Sequence, residues 1–362
     1  MSHTCELLAN VLESIEEYYH EEYVKYIKQM ENKGKTLKVQ RITGHWKRKQ
    51  NRKNLIEKAR YIPAAKWLSV GTLKEIIEHS KGFDRTYSML EDQESRDVFD
   101  WYVAYRASYS ILGSLAKELF PPPVSEESYQ KALVELKRNA VERDMFRVEG
   151  FHIKSNNMPT IADTWIFNQY RIRGVVEPHP GDVVIDAGAF YGETSLWFSR
   201  LVGDTGKVYA FEPFPDNIEV LRHNISNNTG VNNIEIITRG LYNRNGKYSM
   251  TGISAVAEII KQSQGEGNIQ FIALDEFVEE KHLDSVDFIK MDIEGSEIEA
   301  INGSSRTIAR FKPKLAISIY HKKDDIIKIP AVIKGIEGGY HLYLRHCTPG
   351  INETILFAKV LK

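Results

Sequence analysis

Two textures of hydrophobic and polar positions succeed one another along the chain. Across residues 6–30 the apolar positions Leu8, Leu12, Ile15, Tyr19, Tyr23, Ile27 and Met30 recur at three- or four-residue intervals, which predicts one amphipathic helix ending near Gly34. Further helices are expected over residues 73–80, 96–119 and 126–147. The last two are separated by Pro121-Pro122-Pro123, because proline cannot continue a helix. A short strand fits residues 151–153, and residues 164–170 read as an apolar helix leading to the turn Pro178-His179-Pro180-Gly181-Asp182.

Beyond that turn the pattern changes to short continuous apolar runs alternating with amphipathic ones, the signature of parallel strands covered by helices on both faces. Strands are expected at residues 183–186, 208–212, 234–239, 288–292 and 315–320, with helices starting at Glu193, Asp216 and Ser296. Residues 340–345 and 354–360 are strand-like with no helix between them, which suits a terminal antiparallel hairpin. Residues 242–271 are too many for a simple connection and are expected to form a strand pair or lid, loosened by Gly246, Gly252, Gly265 and Gly267. The division that follows is a helical N-terminal region (1–150), a connecting segment (151–180) and an α/β domain (181–362).

The candidate chemistry lies where the strands end. Val183-Val184-Ile185 runs into Asp186-Ala187-Gly188 and then Gly192-Glu193-Thr194, a strand, a tight loop and a helix start. The second strand ends at Glu212, a spacing at which a carboxylate reaches the hydroxyls of a ribose lying across the strand ends. A pyrophosphate loop requires G-x-G-x-x-G, but here Gly188 and Gly192 are spaced G-x-x-x-G behind an acid. A carboxylate at 186 suits the cationic amino group of a methionine moiety better than a diphosphate, so S-adenosylmethionine (SAM) is the expected ligand. A third strand end presents Asp292 and Glu294, while Ser296 and Glu299 are spaced as a capping box.

Taken in order, Asp186-Ala-Gly-Ala with Gly192-Glu193-Thr194, Phe211-Glu212-Pro213, residues 287–295 and Ser318-Ile319-Tyr320-His321-Lys322 resemble the FkbM family of SAM-dependent methyltransferases over about half of the chain. The resemblance implies an α/β fold with a Rossmann-like, seven-stranded methyltransferase sheet, joined here to a mostly helical N-terminal region. It also implies methylation of a hydroxyl on a sugar, glycolipid or secondary metabolite. On that sheet Glu212 takes the ribose, Asp186, Gly188, Gly192, Glu193, Thr194 and Asp292 hold the rest of the cofactor, and Gly240 and Leu241 border the adenine. Asp292, Glu294, His321, Arg345, His346 and Glu353 are left for the acceptor.

Methyl transfer needs alignment and removal of the acceptor's proton. His321 is the expected base, since imidazole titrates near neutral pH, with His346 as its rival. The second expectation is a divalent cation, magnesium or manganese, held by Asp292, Glu294 and His321. Arg345 is expected to grip a phosphate or carboxylate of the acceptor. The basic tract at residues 33–60, with Lys47-Arg48-Lys49, Arg52-Lys53 and Trp46, reads as a solvated face or as a second phosphate-facing patch.

Composition adds limits. A net charge of −1 offers no global pull toward nucleic acid, and an Asn/Asp-Pro-Pro-Tyr type motif for adenine methylation is missing. Cys5 and Cys347 make no disulfide framework. No apolar run is long enough to cross a bilayer and the first residues lack a signal-like core, so a cytoplasmic protein is expected. The expected partner is a hydroxyl acceptor, a nucleotide sugar or surface glycan that bears phosphate; the helical stripes also suit a homo-oligomer. The alternatives are a SAM-binding scaffold of a glycan-building complex and a methyltransferase acting on a lipid-linked or secondary-metabolite acceptor.

Overall fold

The computed structural model describes residues 2–32, 71–251, 258–260 and 269–361. The basic tract with Trp46, and Gly252, Gly265 and Gly267, lie outside the described residues. The chain forms two compact units, Met1–Ser88 with Arg96–Pro122, and Met89–Ser95 with Pro123–Lys362.

In the first unit, α1 (His3–Asn32) is followed by α2 (Gly71–Glu78), α3 (Ser80–Met89) and α4 (Gln93–Leu112). Leu8, Val11 and Ile15 of α1 are buried, as are Phe83, Phe99 and Val103. The start of α1 is tied down by Asp84, which accepts from the Thr4 backbone N–H at 2.9 Å and hydroxyl at 2.6 Å. The helix expected to run to residue 119 is interrupted because Gly113 adopts φ 59°, which opens a 3₁₀ turn (Gly113–Leu115) before α5 (Ala116–Leu119).

The second unit opens with α6 (Glu126–Arg138), capped by the Ser125 hydroxyl, which accepts from Ser128 N–H at 3.1 Å. This helix stops at Asn139, short of the expected 147. The following residues bury Phe146 and Val148 but expose Arg147, a period-two pattern that forms the antiparallel meander β1 (Ala140–Glu142), β2 (Met145–Val148) and β3 (Phe151–Lys154). The two compact units part at Ser88/Met89, Ser95/Arg96 and Pro122/Pro123, while the boundary expected from composition is near residue 150. A single helical turn, α7 (Met158–Ile161), passes into a π-helical turn at Ala162–Ile166, where an ordinary apolar helix is expected.

The main sheet contains β4 (Val183–Ala187), β5 (Lys207–Phe211), β6 (Ile234–Ile237), β11 (Phe288–Met291), β12 (Lys314–Ser318), β13 (Tyr340–His346) and β14 (Thr354–Val360). Its seven strands are ordered β13-β14-β12-β11-β4-β5-β6, and only β14 runs antiparallel to the other six, forming with β13 the terminal antiparallel hairpin that the chain's pattern predicts. Alternation along β5 assigns its faces. Val208 belongs to the core built around α8 (Glu193–Val202), while Tyr209 and Phe211 meet Phe277 of α10 (Leu274–Glu280) edge-on at 5.3 and 4.8 Å; α9 (Pro215–Ser226) lies between these helices in sequence. A smaller sheet, β7 (Gly240–Leu241), β8 (Gly246–Thr251), β9 (Glu258–Ile260) and β10 (Ile269–Ile272), ordered β7-β10-β8-β9, fills the long segment. The parallel strands bring the loops after β4, β5, β11 and β12 to one edge of the sheet, where open α/β folds gather ligands.

Phe198 of α8 packs on Phe288 at 5.4 Å and beside Trp197 at 5.3 Å, all three buried. Phe198→Ala is expected to cost about 3–5 kcal/mol, read as a drop in the urea midpoint; an unchanged midpoint would show that this cluster does not carry the unit.

Candidate functional site

A cleft of about 260 Å³ opens at that edge, walled by the loops after β4, β5 and β11, by β7 and β10, and by residues 157–170. The loop after β4 is built around Gly188, at φ +79°, where an added Cβ would lie 1.9 Å from the Asp292 carbonyl oxygen. The Gly188 and Ala189 N–H groups donate to Phe211 O at 3.0 Å each, locking this loop to β5. Gly192, at φ +91°, starts α8 against Leu221; it packs behind the loop and does not line the cleft.

Glu212 closes one end of the cleft. Its carboxylate accepts from Phe190 N–H at 2.9 Å, Phe214 N–H at 3.0 Å and Asn217 at 3.1 Å, and burial raises its pKa to about 7. Phe211, Phe214, Leu241 and Phe271 form an apolar wall beside it, and Gly240 also lines that wall. Glu193 and Thr194 line the cleft as well. Glu193 accepts from the Thr160 hydroxyl at 3.1 Å, and burial raises its pKa.

Asp186, expected to touch the ligand, is fully buried beneath the loop and does not line the cleft. It accepts from Thr194 at 2.7 Å and Ser195 at 2.6 Å, and pairs with the Lys290 ammonium at 3.2 Å. Lys290 faces the cleft in its place and donates to Ala187 O at 3.1 Å and Gly188 O at 2.7 Å. The register of β4 and β11 sets Lys290 directly opposite Asp186.

The opposite end is acidic. Asp292 accepts from Tyr170 at 2.7 Å and from Tyr320 at 3.2 Å. Burial opposes its ionisation, yet the charges of His321 and Lys290 and these hydrogen bonds hold its carboxyl below the usual range. Glu294, at φ 55°, is pushed up to about 7 by burial and by the charge of Asp292. Glu353, at φ 68°, is raised by burial and Asp292 and accepts from Gln169. Asp163, in the π-helical turn, accepts from Tyr129 at 2.7 Å and is raised to about 7 by burial. Strained left-handed residues and a π turn around one cleft are features that cluster at functional sites.

His321 corrects the expectation of a base. It sits behind Asp292 and Glu294, outside the cleft lining, with Nε2 at 3.4 Å from Asp292 and 3.5 Å from Glu294, and Nδ1 at 3.0 Å from Glu297. Burial lowers its pKa, but the hydrogen bond and charge of Glu297, then Asp292 and Glu294, raise it to about 10. At neutral pH it is an imidazolium with no lone pair to accept a proton.

The same fact bears on a metal. Donor atoms of Asp292, Glu297 and His321, not the expected Asp292, Glu294 and His321, lie within 4.8 Å of one another. Glu297 already accepts from Ile293 N–H at 2.9 Å, and the imidazolium faces carboxylates at both nitrogens. In this structure these donors are turned on one another, and no step is routed through a divalent ion. The expected capping box does not form, since the Ser296 side chain makes no cap bond to α11 (Glu297–Asn302).

Arg345 and His346 lie away from the cleft lining. Arg345 is held by Asp92 at 2.8 Å and Glu94 at 3.0 Å, so its guanidinium is committed to carboxylates. His346 is buried between the Thr354 hydroxyl at 2.8 Å and Gly350 O at 3.0 Å, bracing the hairpin. Lys290, Tyr170, Tyr320 and Asp163 are the site residues that sequence reasoning missed. Lys290 has a legible signal, a charge inside the apolar run Phe288-Ile289-Lys290-Met291 that must find a partner. Asp163 and Tyr170 have none, because they come from a segment that reads as a connector.

Residues 186–342 match the Methyltransferase FkbM domain. Hexuronic acid methyltransferase AglP of Haloferax volcanii is 24% identical over 183 residues, covering 48% of this chain and 74% of its own length. The crystal structure of methyltransferase FkbM from Methylobacillus flagellatus KT superposes with a TM-score of 0.53 at 21% identity, over 79% of this chain. This chain spans 60% of that one.

Two outcomes are expected. Lys290→Ala leaves Asp186 buried and uncompensated and should cost about 3–5 kcal/mol in chemical denaturation, whereas the pair Lys290→Met with Asp186→Asn recovers much of that loss. His321 has a folded pKa of about 10 against an ordinary 6.5. Its stabilisation is therefore complete below pH 6.5 and drains away as the pH rises through about 10. Imidazole nitrogen shifts in a ¹⁵N spectrum should remain those of the protonated ring at pH about 7.5; a midpoint near the ordinary value would remove the cage.

Proposed function

We propose that this chain, a methyltransferase of the FkbM type, takes its methyl group from SAM and transfers it to a hydroxyl of a saccharide. The observation that carries the reading is the cleft at the strand ends, with a buried carboxylate, Glu212, beside a loop of bare glycine backbone and an apolar wall. These residues fit a nucleoside. Glu212, with three acceptor positions taken by Phe190, Phe214 and Asn217, keeps one for a ribose hydroxyl, Phe214, Leu241 and Phe271 suit an adenine face, and Gly188 permits close approach where any side chain would strike Asp292. The name of AglP, a hexuronic acid methyltransferase, supports the saccharide.

Bound SAM would supply a methyl carbon already activated by its sulfonium, which leaves the protein to align the acceptor and remove its proton. Glu294 is the group suited to that removal. It lines the cleft, and its pKa of about 7 lets it accept a proton near neutral pH. Asp292, kept ionised by His321 and Lys290 and oriented by Tyr170 and Tyr320, accepts a hydrogen bond from the acceptor. His321 acts from behind as a positioning cation. We assign the reaction to residues 181–362, with residues 151–180 contributing Asp163, Gln169 and Tyr170 to the cleft wall.

The test is transfer of a labelled methyl group from SAM to a panel of sugars and nucleotide sugars. Glu294→Gln should lower kcat by about 10²–10⁴-fold with little change in SAM affinity by calorimetry. It should also remove the rise in rate that the parent enzyme shows as the pH passes through about 7. An unaltered pH profile in this variant would transfer the base role elsewhere.

A further inference from the structure

The titratable groups on the cleft walls are one-sided in kind. Asp163, Glu193, Glu212, Asp292, Glu294 and Glu353 line it, and among the described residues Lys290 is the one cationic side chain facing it. That ammonium is already spent: its donors reach Ala187 O, Gly188 O and Asp186 at 3.1, 2.7 and 3.2 Å. The guanidinium expected to bind an anion, Arg345, is held by Asp92 and Glu94 outside the lining. An acceptor with a phosphate or carboxylate beside its reacting hydroxyl would meet the ionised Asp292 and the carboxyls of Glu294, Glu353 and Asp163, and among the described lining residues no cationic side chain is free to receive it.

We infer that the acceptor end of this cleft selects a saccharide whose reacting ring bears no anionic group, admitting hydroxyls and protonated amines to the surface formed by Asp163, Asp292, Glu294 and Glu353. This rests on the saccharide reading above and narrows it. Hydrogen-bond chemistry agrees with charge. Carboxylates accept from sugar hydroxyls, and carboxyl groups raised toward neutrality by burial, as Asp163 and Glu353 are, also donate to them. Gln169 and Tyr129 each donate to one of these acids and fix its orientation. The expectation of a phosphate-bearing acceptor is replaced for the part of the molecule that enters the cleft.

The experiment is labelled methyl transfer from SAM to matched methyl glycosides in gluco and galacto configuration: the hexoside, the 2-amino-2-deoxyhexoside and the hexuronoside, at neutral pH. The hexoside or amino sugar should be methylated with a kcat/KM at least ~10-fold above that of the hexuronoside. Raising the pH to about 9 ionises Asp163 and Glu353 and should widen that ratio, and Glu353→Gln, or Asp163→Asn should the first variant fold poorly, should reduce the widening. Equal or faster transfer to the hexuronoside overturns the inference while leaving the saccharide reading intact. Transfer to none of the glycosides by enzyme that binds SAM overturns the saccharide reading and this inference with it.

Discussion

The buried pair Lys290 and Asp186 is the interaction on which the rest of the site depends. The two residues face each other across β11 and β4, with side-chain exposures of 2% and 0%. An ion pair this deep contributes little net stability, but it penalises any register that would separate its charges. Its remaining hydrogen bonds go to the loop: the ammonium donates to the carbonyls of residues 187 and 188, and the carboxylate takes the hydroxyls of Thr194 and Ser195 at the start of α8. One pair thus aligns two central strands, shapes the turn between β4 and α8, and places a positive charge beside Asp292.

Around this anchor the backbone accepts strain at the points where it meets the cleft. Phe190, Glu294 and Glu353 adopt left-handed φ values of 49°, 55° and 68° although none is a glycine. Each is held by a neighbour: Phe190 N–H donates to Glu212, Glu294 stands 3.5 Å from the His321 ring, and Glu353 accepts from Gln169. Conformations of this kind persist only where surrounding contacts over-determine them, and here those contacts also orient the polar groups of the site.

The titrating groups form one coupled set. Asp292 stays ionised because a caged imidazolium and Lys290 sit behind it, and its charge in turn raises Glu294 and Glu353. Separating neighbouring carboxyl groups in this way gives one permanent hydrogen-bond acceptor and others able to exchange a proton near neutral pH. Tyr170 and Tyr320, whose own ionisation is suppressed by burial and by Asp292, serve as donors.

Much of this was legible in the chain itself. Apolar runs ending in Asp186, Glu212 and Asp292 predicted the parallel strands, their order of appearance and the terminal hairpin, because a strand buried on both faces must be apolar until it reaches the ligand edge. Gly188 was equally readable from its loop motif, and an added Cβ there would strike the Asp292 carbonyl. What the linear pattern could not decide was partnership. His321 reads as a base by residue type, yet three carboxylates from residues 292, 294 and 297 make it a cation. Arg345 reads as an anion ligand, yet Asp92 and Glu94, some 250 positions away, claim it. Asp163 and Tyr170 enter the cleft from a segment with no motif at all. Periodicity and strand-end chemistry are local properties written into sequence; protonation state and ligand access depend on which distant charges share a low-dielectric space, and only the folded chain sets that.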